Sequence, residues 1–302
     1  MKSKTLSSHL RIFASLLLCV LASLASANPG VTFLEIPVGA RESALGGAGA
    51  ALITGPTSAT YNSAVVAFTP RGVAFMHSKH FADARAQFIG FTVHRKALAI
   101  SPSFWGTRVP DIEYRTDPTQ SPISTFDATN EAVGITLAYR ISERLAVGAT
   151  GRYLHQKILF ESSEGWSLDV GALMRWPERG LTAGLAVNHY GDMNEFLAEK
   201  PTLPTTVRGG VSYERAVGTI GSALVTADAL AIRDSAPQFR GGVEFRAPHY
   251  LALRAGMVEG LDAQFLSVGF GLFIKHIQFD YAFIPYRENL GDGHRFSLGL
   301  EL

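Results

Sequence analysis

The chain has 302 residues, 47% of them hydrophobic and only 18% charged, with 30 glycines and a single cysteine. Its 27 Lys+Arg against 26 Asp+Glu leave it near neutral, which gives no basis for a nucleic-acid partner. Beyond the N-terminal leader no run reaches about 18 consecutive apolar residues, so no helix is expected to cross a bilayer, and an exported or membrane β-protein remains.

Residues 1–27 read as an export signal. Lys2, Lys4 and Arg11 make the basic start, Ile12–Leu24 is apolar, and Ala25-Ser26-Ala27 fits a small-residue cleavage site. Cys19 lies inside the apolar run, a placement that argues against a lipoprotein anchor. Cleavage would remove this only cysteine, and with it any disulfide or thiol site. It would also remove three of the 27 cations, leaving 24 against 26 carboxylates.

Residues 28–71 lack strand alternation and are rich in small residues, Gly39 to Ala51 above all. No Gly-x-Gly-x-x-Gly or Gly-Lys-Ser/Thr spacing follows, so the glycines do not make a phosphate loop. They suit a compact plug packed inside a barrel too wide for its own side chains to fill. We expect a short helix or turn around Arg41–Leu45 and a hairpin-like stretch through Tyr61–Ala64. Arg41 or Glu42 should pair with wall charges of opposite sign, since an unpaired charge in a dry lumen is costly.

From residue 72 to 302 the chain alternates. Strands are expected near 72–81, 86–95, 97–106, 131–141, 144–154, 165–176, 181–189, 205–214, 220–229, 238–246, 250–257, 264–274, 276–284 and 293–302. The clearest is 165–176, which carries Trp166, Leu168, Val170, Ala172, Met174 and Trp176 on one parity. Its two tryptophans stand roughly 33 Å apart along a strand, or about 23 Å when tilted, close to the apolar band of an outer-membrane barrel. The pattern does not set the parity of the first three strands or of 220–229. Connections alternate as well: short at 96, 142–143, 177–180, 215–219, 247–249 and 275, long at 107–130, 155–164, 190–204, 230–237, 258–263 and 285–292. The tip at 82–85 is short on the long side. An all-β, antiparallel, 14-stranded transmembrane barrel of the outer membrane of a Gram-negative bacterium accounts for both regularities, with outer-membrane lipid as its surroundings.

Aromatics on the outward parity fall at strand ends. Tyr139, Trp176, Tyr213 and Tyr250 would mark the periplasmic boundary, and Tyr153 and Trp166 the outer one. The inward parity carries Arg140, Arg152, Arg175, Arg208, Arg240, Arg246, Arg254 and Arg295 together with Asp169, Glu244, Asp280 and Glu301. An arginine facing lipid at the midplane costs about 2–4 kcal/mol, so this set belongs inside. A lumen-wide salt-bridge network is the simpler expectation, ahead of an anion-selective lining.

Catalytic and metal sets do not emerge. His77 and Ser78 point to opposite faces of one strand, as do His294 and Ser297, and no third group orients either histidine. The nine histidines lack ligand spacing, and Asp111, Glu113, Asp117 and Asp127 read as a solvated outer loop sooner than as a calcium site. Neither an enzyme nor a cofactor is expected.

The stretch Ile36-Pro37-Val38-Gly39-Ala40-Arg41-Glu42-Ser43-Ala44-Leu45-Gly46-Gly47-Ala48 resembles the opening signature of PorV/PorQ family outer-membrane proteins. Phe279–Tyr286, Leu290-Gly291 and His294–Leu298 resemble that family's last hairpin. The family is related to the FadL fatty-acid-transporter barrel, also fourteen-stranded with an N-terminal plug. By this resemblance Pro37, Gly39, Ala40, Arg41, Ala44, Gly46, Gly47 and Asn62 form the plug motif. One departure is that Asn62-Ser63-Ala64 stands where the family has Asn-Pro-Ala, which frees the backbone there. The chain also ends in Leu302 where barrel assembly signals often end in an aromatic residue. The resemblance implies an accessory of type IX-like protein secretion, binding secreted proteins or secretion-system subunits through loops 107–130 and 190–204. The distant FadL relatives imply instead a transporter of hydrophobic small molecules, and a purely structural envelope barrel is the third possibility.

Overall fold

The computed structural model describes residues 30–80, 83–115, 121–196, 199–248 and 250–302, so the expected leader, Asp117 and part of the expected loop 190–204 lie outside the described residues. The described residues form fourteen strands: β1 (Gly72–Lys79), β2 (Arg85–Arg95), β3 (Leu98–Tyr114), β4 (Ser124–Arg140), β5 (Leu145–Ile158), β6 (Glu161–Trp176), β7 (Leu181–Met193), β8 (Thr206–Ala216), β9 (Ser222–Ile232), β10 (Gln238–Arg246), β11 (Leu251–Glu259), β12 (Leu266–Ile274), β13 (Ile277–Pro285) and β14 (Asp292–Glu301). Each pairs antiparallel with its sequence neighbour, and β1 pairs with β14 to close the barrel. Closure leaves no sheet edge, which is what a lipid environment demands of strands.

Two expected loops are mostly strand. Residues 107–130 continue β3 and β4 up to Tyr114 and down from Ser124, and 155–164 shrinks to a turn at residues 159–160. Above the apolar band neither face of a hairpin is immersed in lipid, so the polar–apolar alternation that marks the band fades while the ladder continues.

The pleat also carries two bulges built alike. On β7, Asn188 and His189 oppose the single residue Asp169, and His189 (φ 60°) donates its backbone N–H to Asp169 Oδ1 at 2.8 Å. On β3, Pro110 and Asp111 oppose Asp127, and Asp111 (φ 57°) donates its N–H to Asp127 Oδ1 at 3.3 Å. Each aspartate also holds an arginine, Arg152 and Arg108 respectively. A bulge frees a backbone donor, and here the facing carboxylate takes it up.

Outside, the apolar parity is exposed in an unbroken belt: Ile135 56%, Trp166 53%, Leu253 54% and Phe239 57% are examples. Fourteen strands of this kind would be insoluble in water and suit a hydrocarbon slab. Of the three tryptophans, Trp166 is exposed and Trp176 half-buried on the outer surface, whereas Trp105 is only 3% exposed and faces inward. Single-tryptophan variants in bilayers of brominated lipid should therefore show strong quenching for Trp166 and Trp176 and weak quenching for Trp105. Equal quenching of all three would contradict this placement.

Inside the wall lies the N-terminal segment. Short 3₁₀ turns at Thr32–Glu35, Pro56–Thr60 and Ser63–Phe68 flank one five-residue helix, α1 (Ala40–Ala44), and residues 38–52 are buried throughout. The helix stands where a helix or turn was expected, but the stretch Tyr61–Ala64 is not hairpin-like. Asn62 caps the last turn by accepting the N–H of Ala64 at 3.0 Å. Its Nδ2 donates to the carbonyls of Ala50 and, on the wall, Ala172.

Candidate functional site

The lumen is layered. At the long-connection end, Val31, Phe33, Leu34 and Val38 of the N-terminal segment pack against Met76, Phe88, Trp105, Leu154, Met193 and Leu203, with Ile36 at the edge. Phe33 meets the Trp105 ring edge-on at 5.4 Å between centroids. The segment's first described residue is tied to the outer connection by Gly30 N–H to the Thr202 carbonyl, 3.1 Å. The described segment thus runs from Gly30 at the outer mouth down to β1 at the short-turn end.

Beneath this cluster lies a small chamber of about 30 Å³, lined by Trp105, Asn188, His189, Arg208, Arg240 and the backbone around Ile36–Val38. That is room for a water-sized group. Its walls are polar: Trp105 Nε1, Asn188 Oδ1, His189 Nδ1, Arg208 Nε and Arg240 Nε have no hydrogen-bond partner among the described residues.

Charged groups follow. Arg41 of α1 grips Glu244 on β10 with two bonds, Nε to Oε2 at 2.8 Å and Nη2 to Oε1 at 2.9 Å. Glu244 also accepts from Arg254 Nε at 2.6 Å, and Arg254 Nη1 reaches Asp280 at 2.7 Å. On the far wall Arg152 pairs with Asp169, and Arg208 with Asp228 at 3.0 Å. Asp228 in turn accepts the backbone N–H groups of Gly49 and Ala50 at 2.8 and 2.9 Å. Wall carboxylates, Glu244 and Asp228, thus clamp the N-terminal segment at two places. Arg240 and Arg295 sit apart from these pairs: Arg240 donates to Gln238 Oε1, and Arg295 to Ser43 Oγ. Separate clusters replace the single network expected from the sequence. Asp228 escaped that reading because the pattern over 220–229 did not set which face of β9 looks inward.

Glu42 does not join a wall charge. Thr57 Oγ1 donates to its carboxyl at 2.7 Å, and burial pushes its pKa above the ordinary carboxylate value despite that bond. For Arg41 burial works against the charge, yet the facing Glu244 carboxylate reverses the effect and holds the guanidinium charged. All three glycines of the motif take positive φ, and none has room for a Cβ: Gly39 (φ 90°) faces the Glu42 carboxyl, Gly46 (φ 72°) the Met257 carbonyl and Gly47 (φ 77°) Arg240. The motif residues Pro37, Ala40, Ala44 and Gly46 lie in the same segment; Ala40 and Ala44 pack on Ala282 of β13, and Gly46 N–H reaches Ser267 Oγ at 3.2 Å.

The short-turn end closes with small residues, Ala51, Ala59, Ala64 and Ala67 with Val65 and Val66, against Ala99, Ala138, Ala146 and Leu173. Phe68 lies beneath the guanidinium groups of Arg140 (5.2 Å) and Arg175 (4.6 Å). Two crevices of about 270 and 250 Å³ run between segment and wall at this end and share Arg41 and Ile53. Outside, Tyr139, Tyr213 and Tyr250 are exposed near the short turns, while Tyr153 and Trp166, also exposed, pair with each other within β5 and β6, short of the strand ends where the sequence placed them.

A hydrogen-bonded line of Ser78, His80 and Tyr286 was not anticipated: Ser78 Oγ to His80 Nε2 at 2.9 Å, His80 Nδ1 to Tyr286 OH at 3.0 Å. The partners are two residues apart, on one face, where the adjacent His77 and Ser78 are not. Burial and the nearby Arg295 lower the His80 pKa to about 3, so the imidazole stays neutral. With no carboxylate in the line and Ser78 fully buried, it reads as a strut. Of the loop acids, Asp127 holds Arg108 and Glu113 holds Arg115.

No protein-family model and no curated protein sequence matches the chain. Solved structures do resemble it. The CymD monoaromatic hydrocarbon channel superposes with a TM-score of 0.63 at 11% identity, covering 88% of this chain and 98% of that one. The Pseudomonas putida toluene transporter TodX gives a TM-score of 0.56 at 12% identity, covering 85% and 95%. Identities this low establish the fold alone, a closed β-barrel of the outer-membrane kind. A closed bilayer-spanning barrel of this fold belongs to the outer membrane of Gram-negative bacteria.

Proposed function

We propose that this barrel is an outer-membrane channel for hydrophobic small molecules, with residues 31–38 acting as its plug at the outer mouth. The observation that carries the reading is the apolar cluster itself. The wall offers Met76, Phe88, Trp105, Leu154 and Met193 toward the lumen, a lining that a polar solute gains nothing by entering. The chain covers that lining with its own Phe33 and Leu34, side chains a small aromatic molecule can replace. Similarity to hydrocarbon channels supports the same reading.

The β2–β3 ladder is irregular at one point, where the Thr92 and Ser101 hydroxyls bridge the strands at 3.0 Å. Pro102 lacks a backbone donor, and the β2–β3 ladder lapses beside it, resuming at Gly90↔Ser103 on one side and Val93↔Ile100 on the other. The secretion reading implied by the PorV/PorQ resemblance draws no support from the comparisons, and connection 107–130, on which it leaned, is mostly paired strand.

The test is uptake of radiolabelled toluene by proteoliposomes. The wild type should admit toluene faster than empty vesicles and exclude glucose. Phe33→Ala with Leu34→Ala removes about 5 kcal/mol or more of burial from the plug, so uptake should rise at least tenfold. Uptake equal to that of empty vesicles in both proteins would refute the proposal.

A further inference from the structure

The two ends of the barrel carry opposite charge. Each short turn except the one after β10 bears or adjoins an exposed cation: Lys96, Arg144, Arg179, Arg215 and Lys275, with Arg95 beside the first. Exposed carboxylates are fewer there, Glu143, Glu178, Glu214 and Glu301, and Arg144 is the only one of these six cations in an ion pair among the described residues, with Glu178 at 2.9 Å. At the other end carboxylates prevail, among them Glu131, Glu164, Asp192 and Glu259 on the outward face.

The cations stand at a defined height. Arg95 pairs with Leu98, and Leu98 with Tyr139, so the guanidinium shares a row with a boundary tyrosine. Trp176 pairs with Leu181, and Leu181 with Tyr213; Arg215 lies two residues beyond Tyr213 on the same outward face, about 7 Å along the strand. Boundary aromatics settle at the level of lipid headgroups. The exposed cations therefore ring the barrel at, and just beyond, the phosphates of the adjoining leaflet.

We propose that this ring binds anionic phospholipid headgroups of the periplasmic leaflet, of the phosphatidylglycerol kind. A soluble acidic partner would dock on one arc. These cations instead recur at five of the six short turns, and Arg95 and Arg215 point outward toward lipid, the arrangement a surrounding leaflet requires. The inference is independent of what passes through the lumen.

The experiment compares the full chain in phosphatidylethanolamine nanodiscs with and without phosphatidylglycerol, reading the thermal midpoint and the lipid retained on extraction. For the wild type, phosphatidylglycerol should raise the midpoint and be enriched roughly fivefold over bulk. The variant R95Q/K96Q/R179Q/R215Q/K275Q should match the wild type in phosphatidylethanolamine alone and lose both effects. Should that variant fail to assemble, the wild type at high salt replaces it, and enrichment must fall there. Enrichment that survives both neutralisation and salt overturns the proposal, as does a wild type indifferent to phosphatidylglycerol, which would leave the cations to an acidic periplasmic protein.

Discussion

Glu244→Gln should destabilise the barrel by about 3–5 kcal/mol, the cost of leaving buried guanidinium groups without their counter-charge. Glu244 is 4% exposed and is the carboxylate shared by Arg41 and Arg254. Arg254 retains Asp280 after the substitution. Arg41 retains the Ile53 carbonyl and the Thr54 hydroxyl, and competes with Arg254 for the one oxygen the new amide keeps; none of the three is charged. The loss falls on the joint between α1 and the wall, so the N-terminal segment should loosen before the strands part. Two measurements separate these events: the urea midpoint for refolding in detergent micelles, and tryptic cleavage at Arg41 in the folded barrel. Adding Arg41→Met to Glu244→Gln should recover part of the loss, because it removes the orphaned charge. Glu178→Gln is the contrast. The Glu178 pair with Arg144 is half exposed on both sides and contributes about 0–1 kcal/mol. A Glu244→Gln variant as stable as the Glu178→Gln variant would remove the clamp from the account.

How much of this was legible follows from where water and lipid meet the chain. Within the bilayer each strand has one face in hydrocarbon and one in a polar lumen, so a period of two runs through residues such as Val133, Ile135, Leu137 and Tyr139, and these are indeed the exposed set. Above the bilayer that contrast ends, and Thr125, Phe126 and Ala128–Asn130 read as loop although they pair in register with β3, the last three with β5 as well. Bulges are invisible to periodicity, since the extra residue simply inverts the parity: Asn188 and His189 are both buried and Tyr190 resumes the outer face. Both bulges nevertheless left a mark, an aspartate on the facing strand where a neutral residue would have served. Inside the barrel, Arg41 found its partner as its charge required, but Ser63–Phe68 could not be read as a 3₁₀ turn from composition. Asn62 was the available signal, a side-chain acceptor placed just ahead of the turn it caps.

The other large effect should come from adding side chains to the wall. On the inner face of β5, a Cβ at Gly148 would lie 2.6 Å from the backbone carbon and oxygen of Ser63. On β10, a Cβ at Gly242 would lie 2.6 Å from Leu45 Cα and 2.8 Å from its carbonyl oxygen. Backbone cannot rotate aside as a side chain can, so Gly148→Val with Gly242→Val forces either the wall or the segment to move. The wall is held by ladders on both sides of each strand, and valine suits a strand better than glycine by up to about 1 kcal/mol. The segment should therefore yield. The double variant should still show a folded, heat-modifiable barrel on gels, while its conductance in planar bilayers rises at least tenfold and trypsin gains access to Arg41. Gly151→Val controls for valine itself: it sits on the outward face of β5, with nothing within 4 Å of the added carbon, and should leave conductance unchanged. Should the double variant conduct no better than Gly151→Val, the wall glycines are not what seats the segment, and its hold must rest on the charge clamps alone.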